Sequence, residues 1–349
     1  ANLLATYSIG KYAPFMEPIS LSDEAGAVFG GTVLETMKFD GAQYGVPTDL
    51  SLHFLYYRTG LVNALLADDI AKARYTKIAL EYLGEALEPK SPEEWTWQDF
   101  VANALYFTQS INPDSPTRYG TVIQAKNLLF NMMVFHSWPR SYGADWMDAE
   151  GNITVDSEAY RAALSMANLL FKLGATPPDS TSYEYAEANA AYSAGQVAAM
   201  VQWNAAAGDL TGAQPDTGTF APPSGPEGRF THIHGLGLGL NAAATNKDGA
   251  IKFLRWMSTE EAAIAYAVAG GSPGLAAETA AKLSDDRPDL VQSGEYASTY
   301  GFVMNVGTSG NALSVYEAQA KEFTGFWAGT QDLDTALGNA TEAMPEPLK

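Results

Sequence analysis

Hydrophobic positions along this chain follow two rhythms. In some stretches they recur every three to four residues, the spacing of one helix face; in others they form short unbroken runs closed by glycine, proline or asparagine, as buried strands do. Residues 64–87, ALLADDIAKARYTKIALEYLGEAL, show the helical spacing. So do residues 91–110, where Ser91 precedes Pro92, Glu93 and Glu94 and predicts a helix start there. NLLFNMMVFHSW, 127–138, predicts a buried helix. Residues 148–178 predict a hairpin and then an amphipathic helix stopped by Gly174, Pro177 and Pro178. Helices are also predicted over 246–257, over 258–271 with a capping box at Ser258 and Glu261, and in two pieces over 316–344. Strands are predicted at 53–58, 119–125, 198–201 and 225–242. The first 40 residues read as helical and turn-rich. Strands alternating with helices predict an α/β architecture.

Length and charge narrow the picture. The 349 residues suffice for about two domains. The net charge of −20 disfavours nucleic acid and anionic membranes as partners. With no cysteine, disulfides, thiolate metal sites and cysteine nucleophiles are excluded. No apolar run approaches the ~18 residues of a membrane span. The opening ANLLATYSIG lacks a basic segment followed by an apolar one, so no signal peptide is expected in it.

Several motifs invite a chemical reading. GGSPG, Gly270–Gly274, matches the spacing of a nucleophile elbow, but a helix precedes it and Pro273 removes the backbone N–H that an oxyanion hole needs. HGLGLGL has glycines at 235, 237 and 239 without the dinucleotide-binding spacing; glycines in a strand point instead to close approach of a backbone or ligand. His232 and His234 share a strand face, yet a metal needs a third ligand, and none is expected. Asp49, Asp145 and Asp148 are the carboxylates expected near a cleft. They support only a secondary reading, a glycoside-active enzyme.

The aromatics carry more. Trp138, Tyr142 and Trp146 cluster beside Arg140 and Asp145, and Trp203 closes an apolar strand ahead of Asn204. A ring at a strand end, with an amide or carboxylate at its edge, suits the flat face and hydroxyls of a sugar.

Six segments in order then resemble one family: residues 39–62 around YGVPTDL, 92–100, 142–174, 192–206, 234–274 and 329–344. The chain resembles the extracellular solute-binding proteins of family 1, the maltose-binding-protein-like carbohydrate receptors of ABC importers. That resemblance implies a periplasmic-binding-protein-like α/β fold of two lobes joined by a multi-segment hinge, with an N-terminal lobe that lacks its first strands. It places residues 1–48 and 235–302 in the N-terminal lobe and 51–231 and 304–349 in the other, with crossings near 47–51, 229–235 and 300–307. The YGVPTDLSLHFLYYR stretch becomes the first crossing. Carried over by position, the ligand contacts are Asp49 and Ser51 after the hinge proline, Phe135 and Trp138 from the helix, and Trp203 with Asn204. His234 and Gly235 at the glycine strand, Ser272 in its loop, and Tyr142, Asp145 and Trp146 complete the expected set. The implied ligand is a small carbohydrate or polyol, and the implied partner a membrane ABC permease. The protein is expected to be monomeric and free of cofactor and catalysis, and to lie in the periplasm or on an extracellular lipid anchor. A non-sugar solute, an anion or a peptide, is the remaining alternative.

Overall fold

The computed structural model describes residues 2–344. The strands that carry its architecture are, in chain order, β1 (Asn2–Ala5), β2 (Met16–Glu17), β3 (Gly45–Ser51), β4 (His53–Arg58), β5 (Tyr119–Thr121), β6 (Val197–Trp203), β7 (Thr217–Phe220), β8 (Thr231–His232), β9 (His234–Asn241) and β10 (Gly301–Phe302). The main helices are α1 (Thr59–Ala67), α2 (Asp69–Leu83), α3 (Trp97–Tyr106), α4 (Leu129–Phe135), α5 (Ser137–Ser141), α6 (Glu158–Lys172), α7 (Lys247–Met257), α8 (Glu260–Val268), α9 (Ala312–Trp327) and α10 (Leu333–Glu342).

The chain divides into two units. Ala1–Leu52 and Thr231–Val315 belong to the first, and His53–Phe230 and Tyr316–Ala343 to the second. The YGVPTDLSLHFLYYR stretch contains the first change of unit, between Leu52 and His53, so β3 stays whole in one sheet and β4 opens the other. The second change falls at 230/231 and the third at 315/316, inside α9, whereas the sequence placed the third near 300–307.

In the first unit β9 is the organising strand. β3 runs antiparallel along one edge, from His234↔Ser51 to Gly239↔Gly45, with a register shift at Leu236/Gly237. β1 and then β2 pair antiparallel along the other edge. The chain therefore opens with a short strand that its pattern did not announce, and the helical, turn-rich stretch expected there follows it over residues 6–15, 25–29 and 31–35. The alternation of β9 is also inverted from the usual rule: Gly235, Gly237 and Gly239 are buried, while Leu236 and Leu238 are half-buried. The glycine face is inside because neighbours occupy the space its side chains would take. A Cβ at Gly237 would lie 2.5 Å from Met37 Sδ and 2.8 Å from Val46 O, and one at Gly239 would lie 2.6 Å from Tyr44 O. Met37 packs with Leu4, Ile9 and Met16 as the core under this face. The close approach anticipated for these glycines is met by the protein's own side chains and backbone.

In the second unit the strand order is β5-β6-β4-β7. β5 and β6 are parallel, and β4 is antiparallel to both β6 and β7. The helix expected to start at Ser91 starts later. Pro92–Glu94 form one 3₁₀ turn, and α3 is capped by Thr96, whose hydroxyl accepts from Asp99 N at 3.2 Å while Asp99 accepts from Thr96 N at 3.0 Å. Trp95, buried between the turn and α3, donates its indole N–H to Lys90 O at 3.0 Å, and the Thr96/Asp99 capping box sets where α3 begins. The cap of α8 likewise shifts by one residue. Thr259 accepts from Ala262 N at 3.3 Å, while Ser258 hydrogen-bonds Ser22, accepting from its N–H at 2.8 Å and receiving its hydroxyl on the carbonyl at 2.7 Å.

Candidate functional site

Five of the expected contact residues meet in the first unit, at one end of the β3–β9 pair. Ser51 lies across from His234 and Leu50 across from Gly235, while Asp49 bridges to Ser272. Leu50 N donates to Ser272 O at 2.9 Å, which fixes the GGSPG loop as a flap of backbone on the strand rather than a nucleophile elbow. Asp49 is half-buried; burial raises its carboxyl above the usual range, opposed by the Ser51 hydroxyl at 3.3 Å. His234 Nε2 lies 3.2 Å from His232 Nδ1, and His232 stacks on Phe302 with ring centroids 4.8 Å apart. Gly235 is committed to structure: its N–H donates to Thr6 Oγ1 at 2.7 Å, and a Cβ there would lie 2.9 Å from Thr36 Oγ1. Among the described residues no group of His, Asp or Glu is arranged to hold a metal.

A broader hollow in this unit, about 430 Å³, lies between the Asp40–Gly41 hairpin tip and residues 303–308. Val306 there has φ of 56°, strained for a β-branched residue. None of the expected contact residues lines this hollow.

The other seven lie in the second unit, and the structure separates them. Trp203 ends β6, opposite His53 in register, with ring centroids 4.4 Å apart. The ring is half-buried, and Tyr56 Oη donates to Trp203 O at 2.9 Å, so the backbone at the strand end is held. Asn204 follows as the first residue of a 3₁₀ turn and is also half-buried. Behind Trp203, Gln202 is fully buried in an otherwise apolar strand; its Nε2 donates to Asn189 Oδ1 at 2.9 Å and Gln124 Oε1 at 3.3 Å.

Trp138 stacks flat on Trp97, centroids 4.1 Å apart and planes 7° apart, with Phe100 edge-on to both. Phe135 meets Trp327 edge-on at 5.0 Å. These rings wall a small cavity at the carboxyl ends of β5 and β6, where Val122, Ile123, Gln124 and Val201 close it. Carboxyl ends of parallel strands are the usual ligand side of an α/β sheet.

Trp146 differs. It has no exposed surface; its Nε1 donates to Gln319 Oε1 at 3.2 Å and its ring meets Tyr316 edge-on at 4.7 Å. It belongs to a core group with His136, whose Nε2 lies 2.8 Å from Gln319 and whose burial pushes its pKa down to about 3. Asp145 is held by Arg140 at 2.6 Å and accepts from Trp146 N at 2.8 Å; Asp148 accepts from Asn152 N at 2.7 Å and Nδ2 at 2.9 Å, an exposed turn of its own hairpin. Tyr142 is half-buried, with its hydroxyl 3.5 Å from Met166 Sδ. Sequence reasoning missed Trp97, Gln124, Gln202 and Trp327. The one visible signal was a glutamine inside the apolar run before Trp203.

A model of the family described as bacterial extracellular solute-binding protein matches residues 9–264. Among curated proteins, the probable amino-acid ABC transporter periplasmic-binding protein y4oP of Sinorhizobium fredii (strain NBRC 101917 / NGR234) is 28% identical over 143 residues. That match covers 41% of this chain and 32% of y4oP, so the chain aligns with about a third of that relative's length. Among solved structures, maltose-bound MalE3 of T. maritima is 22% identical with a TM-score of 0.73, over 98% of this chain and 83% of that one. The GacH receptor of Streptomyces glaucescens GLA.O, solved unliganded and with acarbose and an acarbose homolog, is 16% identical with a TM-score of 0.69, over 98% and 81%. Both share the fold.

Proposed function

We propose a function from one premise: this chain belongs to the bacterial extracellular solute-binding protein family, and its fold is that of the maltose-binding-protein-like members, with two α/β lobes. On that premise it is the binding component of an ABC importer. It captures a small carbohydrate, a mono- or oligosaccharide or a polyol, and presents it to a membrane permease. It acts as a monomer outside the cytoplasm, in the periplasm or on a lipid anchor, and it performs no chemistry on the solute.

The observation that carries the sugar is Trp203: a half-buried indole at the carboxyl end of β6, with Asn204 beside it and its backbone held by Tyr56. A pyranose stacks its C–H face on such a ring and gives its hydroxyls to amides and carboxylates. Asp49, Ser51, His234 and Ser272, gathered by the β3–β9 register, are the polar groups of the first unit offered to the same kind of ligand. Maltose bound to MalE3 and acarbose bound to the GacH receptor support this reading. The name of y4oP favours an amino acid instead.

A thermal-shift screen of the chain against sugars, polyols, amino acids and short peptides separates these readings. A ligand that binds only the folded state stabilises it by about 2.7 kcal/mol at a hundred times its dissociation constant. The expected result is a shift with one class of carbohydrate and no release of reducing sugar on long incubation. A shift with amino acids and none with carbohydrates overturns the sugar assignment; release of reducing sugar overturns the non-catalytic one.

A further inference from the structure

One side chain near the end of β6 is not explained by packing. Gln202 has no exposed surface, and the other buried residues of β6 are apolar. A methionine or leucine would fill its place with no amide to satisfy, and a buried amide is costly unless its hydrogen bonds are made. Here they are made, and in one sense only. Oε1 accepts from the N–H of Trp203 at 3.0 Å, and Nε2 donates to Asn189 Oδ1 at 2.9 Å and to Gln124 Oε1 at 3.3 Å. Turning this amide over would set its NH₂ against the Trp203 N–H, donor on donor.

The place of these bonds matters more than their number. β5 pairs with β6 at Tyr119↔Val197 and Thr121↔Ala199 and goes no further, whereas β4 runs beside β6 as far as His53↔Trp203. Past the end of β5, Gln124 reaches Gln202 through its side chain instead. Asn189 ties the same amide to the helix Tyr185–Ser193. On its carbonyl side Trp203 is held by Tyr56, whose Oη donates to Trp203 O at 2.9 Å. Burial raises this phenol well above its ordinary pKa, so the donor keeps its proton. The His53 ring lies edge-on to the indole, with centroids 4.4 Å apart. The peptide before Trp203, the peptide after it and the ring itself are thus each met by a different side chain, all within the second unit.

A stacking ring strengthens binding when it is in place before the ligand arrives, because the cost of ordering it then does not come out of the affinity. We propose that Gln202 is a positioning residue for solute capture: its Oε1 fixes the backbone of Trp203, its Nε2 anchors that backbone to Asn189 and Gln124, and the indole is aimed before a sugar meets it. This rests on the carbohydrate reading above and assigns the residue that sets the affinity of its stacking ring.

Fluorine NMR of the full chain carrying 5-fluorotryptophan reads the ring without a ligand, and Trp203→Phe assigns its line among the seven tryptophans. Gln202→Met keeps the volume and removes the amide. It should shift and broaden the Trp203 line and leave that of Trp256, in the other unit, in place. In calorimetric titration with maltose and with glucose, it should weaken whichever the parent binds by about tenfold or more. Gln202→Glu keeps the acceptor, and the Asn189 and Gln124 amides can turn over to donate to it, so this variant should stay within about threefold of the parent. Should Gln202→Met fail to fold, amide exchange in the parent decides. The Trp203 N–H should exchange as slowly as the paired amides of β6, and exchange at the rate of an unstructured chain overturns the hold. A Trp203 line unmoved by Gln202→Met overturns the positioning role and leaves the carbohydrate reading standing. A moved line with sugar affinity unchanged keeps the positioning role and removes the stacking. If the parent binds neither sugar, the carbohydrate reading loses its support and the line alone decides the role of Gln202.

Discussion

The two units reach a buried centre by opposite means. Under β9 the sheet has no side chains at all at Gly235, Gly237 and Gly239, and Met37, Leu4 and neighbouring backbone fill the space. Thr6 and Gly235 satisfy one another there, Gly235 N–H donating to Thr6 Oγ1 and the Thr6 hydroxyl to Gly235 O. The second unit does the reverse: Trp97, Trp138, Phe135 and Trp327 crowd around a small cavity. A centre made by removing side chains tolerates no addition. One made by crowding rings tolerates exchange of one ring for another of similar size.

The contrast is broken most severely at Gly237. Gly237→Val forces a side chain onto Met37 Sδ and Val46 O, and backbone cannot yield as a flexible side chain does. A loss of about 3 kcal/mol is expected, the upper part of the overpacking range. Denaturant unfolding checks this, and a loss below 1 kcal/mol would show that the glycine face has slack. Trp203→Ala, by comparison, leaves β6 with its ladder intact. It should weaken carbohydrate binding about 30-fold, or ~2 kcal/mol, with a melting temperature close to the parent's; unchanged affinity removes the stacking role.

His136 sharpens the comparison through acid. Its pKa of about 3 in the fold against 6.5 unfolded means the unfolded chain binds the extra proton, so stability falls as pH drops below 6.5 and the loss is complete near 3. The slope is about 1.4 kcal/mol per pH unit within that window. His136→Gln should flatten it when unfolding is followed from pH 7 to 4. Asp49 has the opposite sign and the smallest effect. Its raised pKa means folding favours the protonated form, so its contribution is present below 3.8 and lost as pH rises through the folded value. Asp49→Asn should therefore raise the melting temperature slightly at pH 7 and leave it unchanged at pH 3.

Much of the architecture was legible because it rests on local pattern. The helices at 129–135, 158–172 and 247–257 and the strands at 53–58 and 197–203, the last one residue longer at its start and two at its end than the pattern suggested, follow from periodicity and stop signals. What failed was decided at a distance. Asn2–Ala5 is a strand because β9, more than 200 residues away, offers it an edge. Ser91 lost its helix to Thr96 because the Thr96–Asp99 capping box, not the Ser91 side chain, closes the start of α3, and the inward face of β9 could not be known without Met37 beneath it. At the candidate site, Trp203 and Asn204 are readable as a strand-end pair. Trp146 stands eight residues from Trp138 and reads the same, yet only packing commits it to the core with His136 and Gln319. Trp97, Gln124 and Trp327 come together from three distant segments, and nothing in their local sequence announces it.

The central place of β9 also sets a schedule for the growing chain. β1, β2 and β3 all lie within residues 2–51, and each finds its main partner in a strand that begins at residue 234. At about 5–20 residues per second on the ribosome, that partner emerges on the order of ten seconds or more later. In the interval the nascent chain carries unpaired strand edges, while residues 53–230 already supply all four strands of the other sheet. Residues 2–51 are thus made well before the sheet they belong to can be completed, and their strands wait on a partner made after the whole of the other sheet.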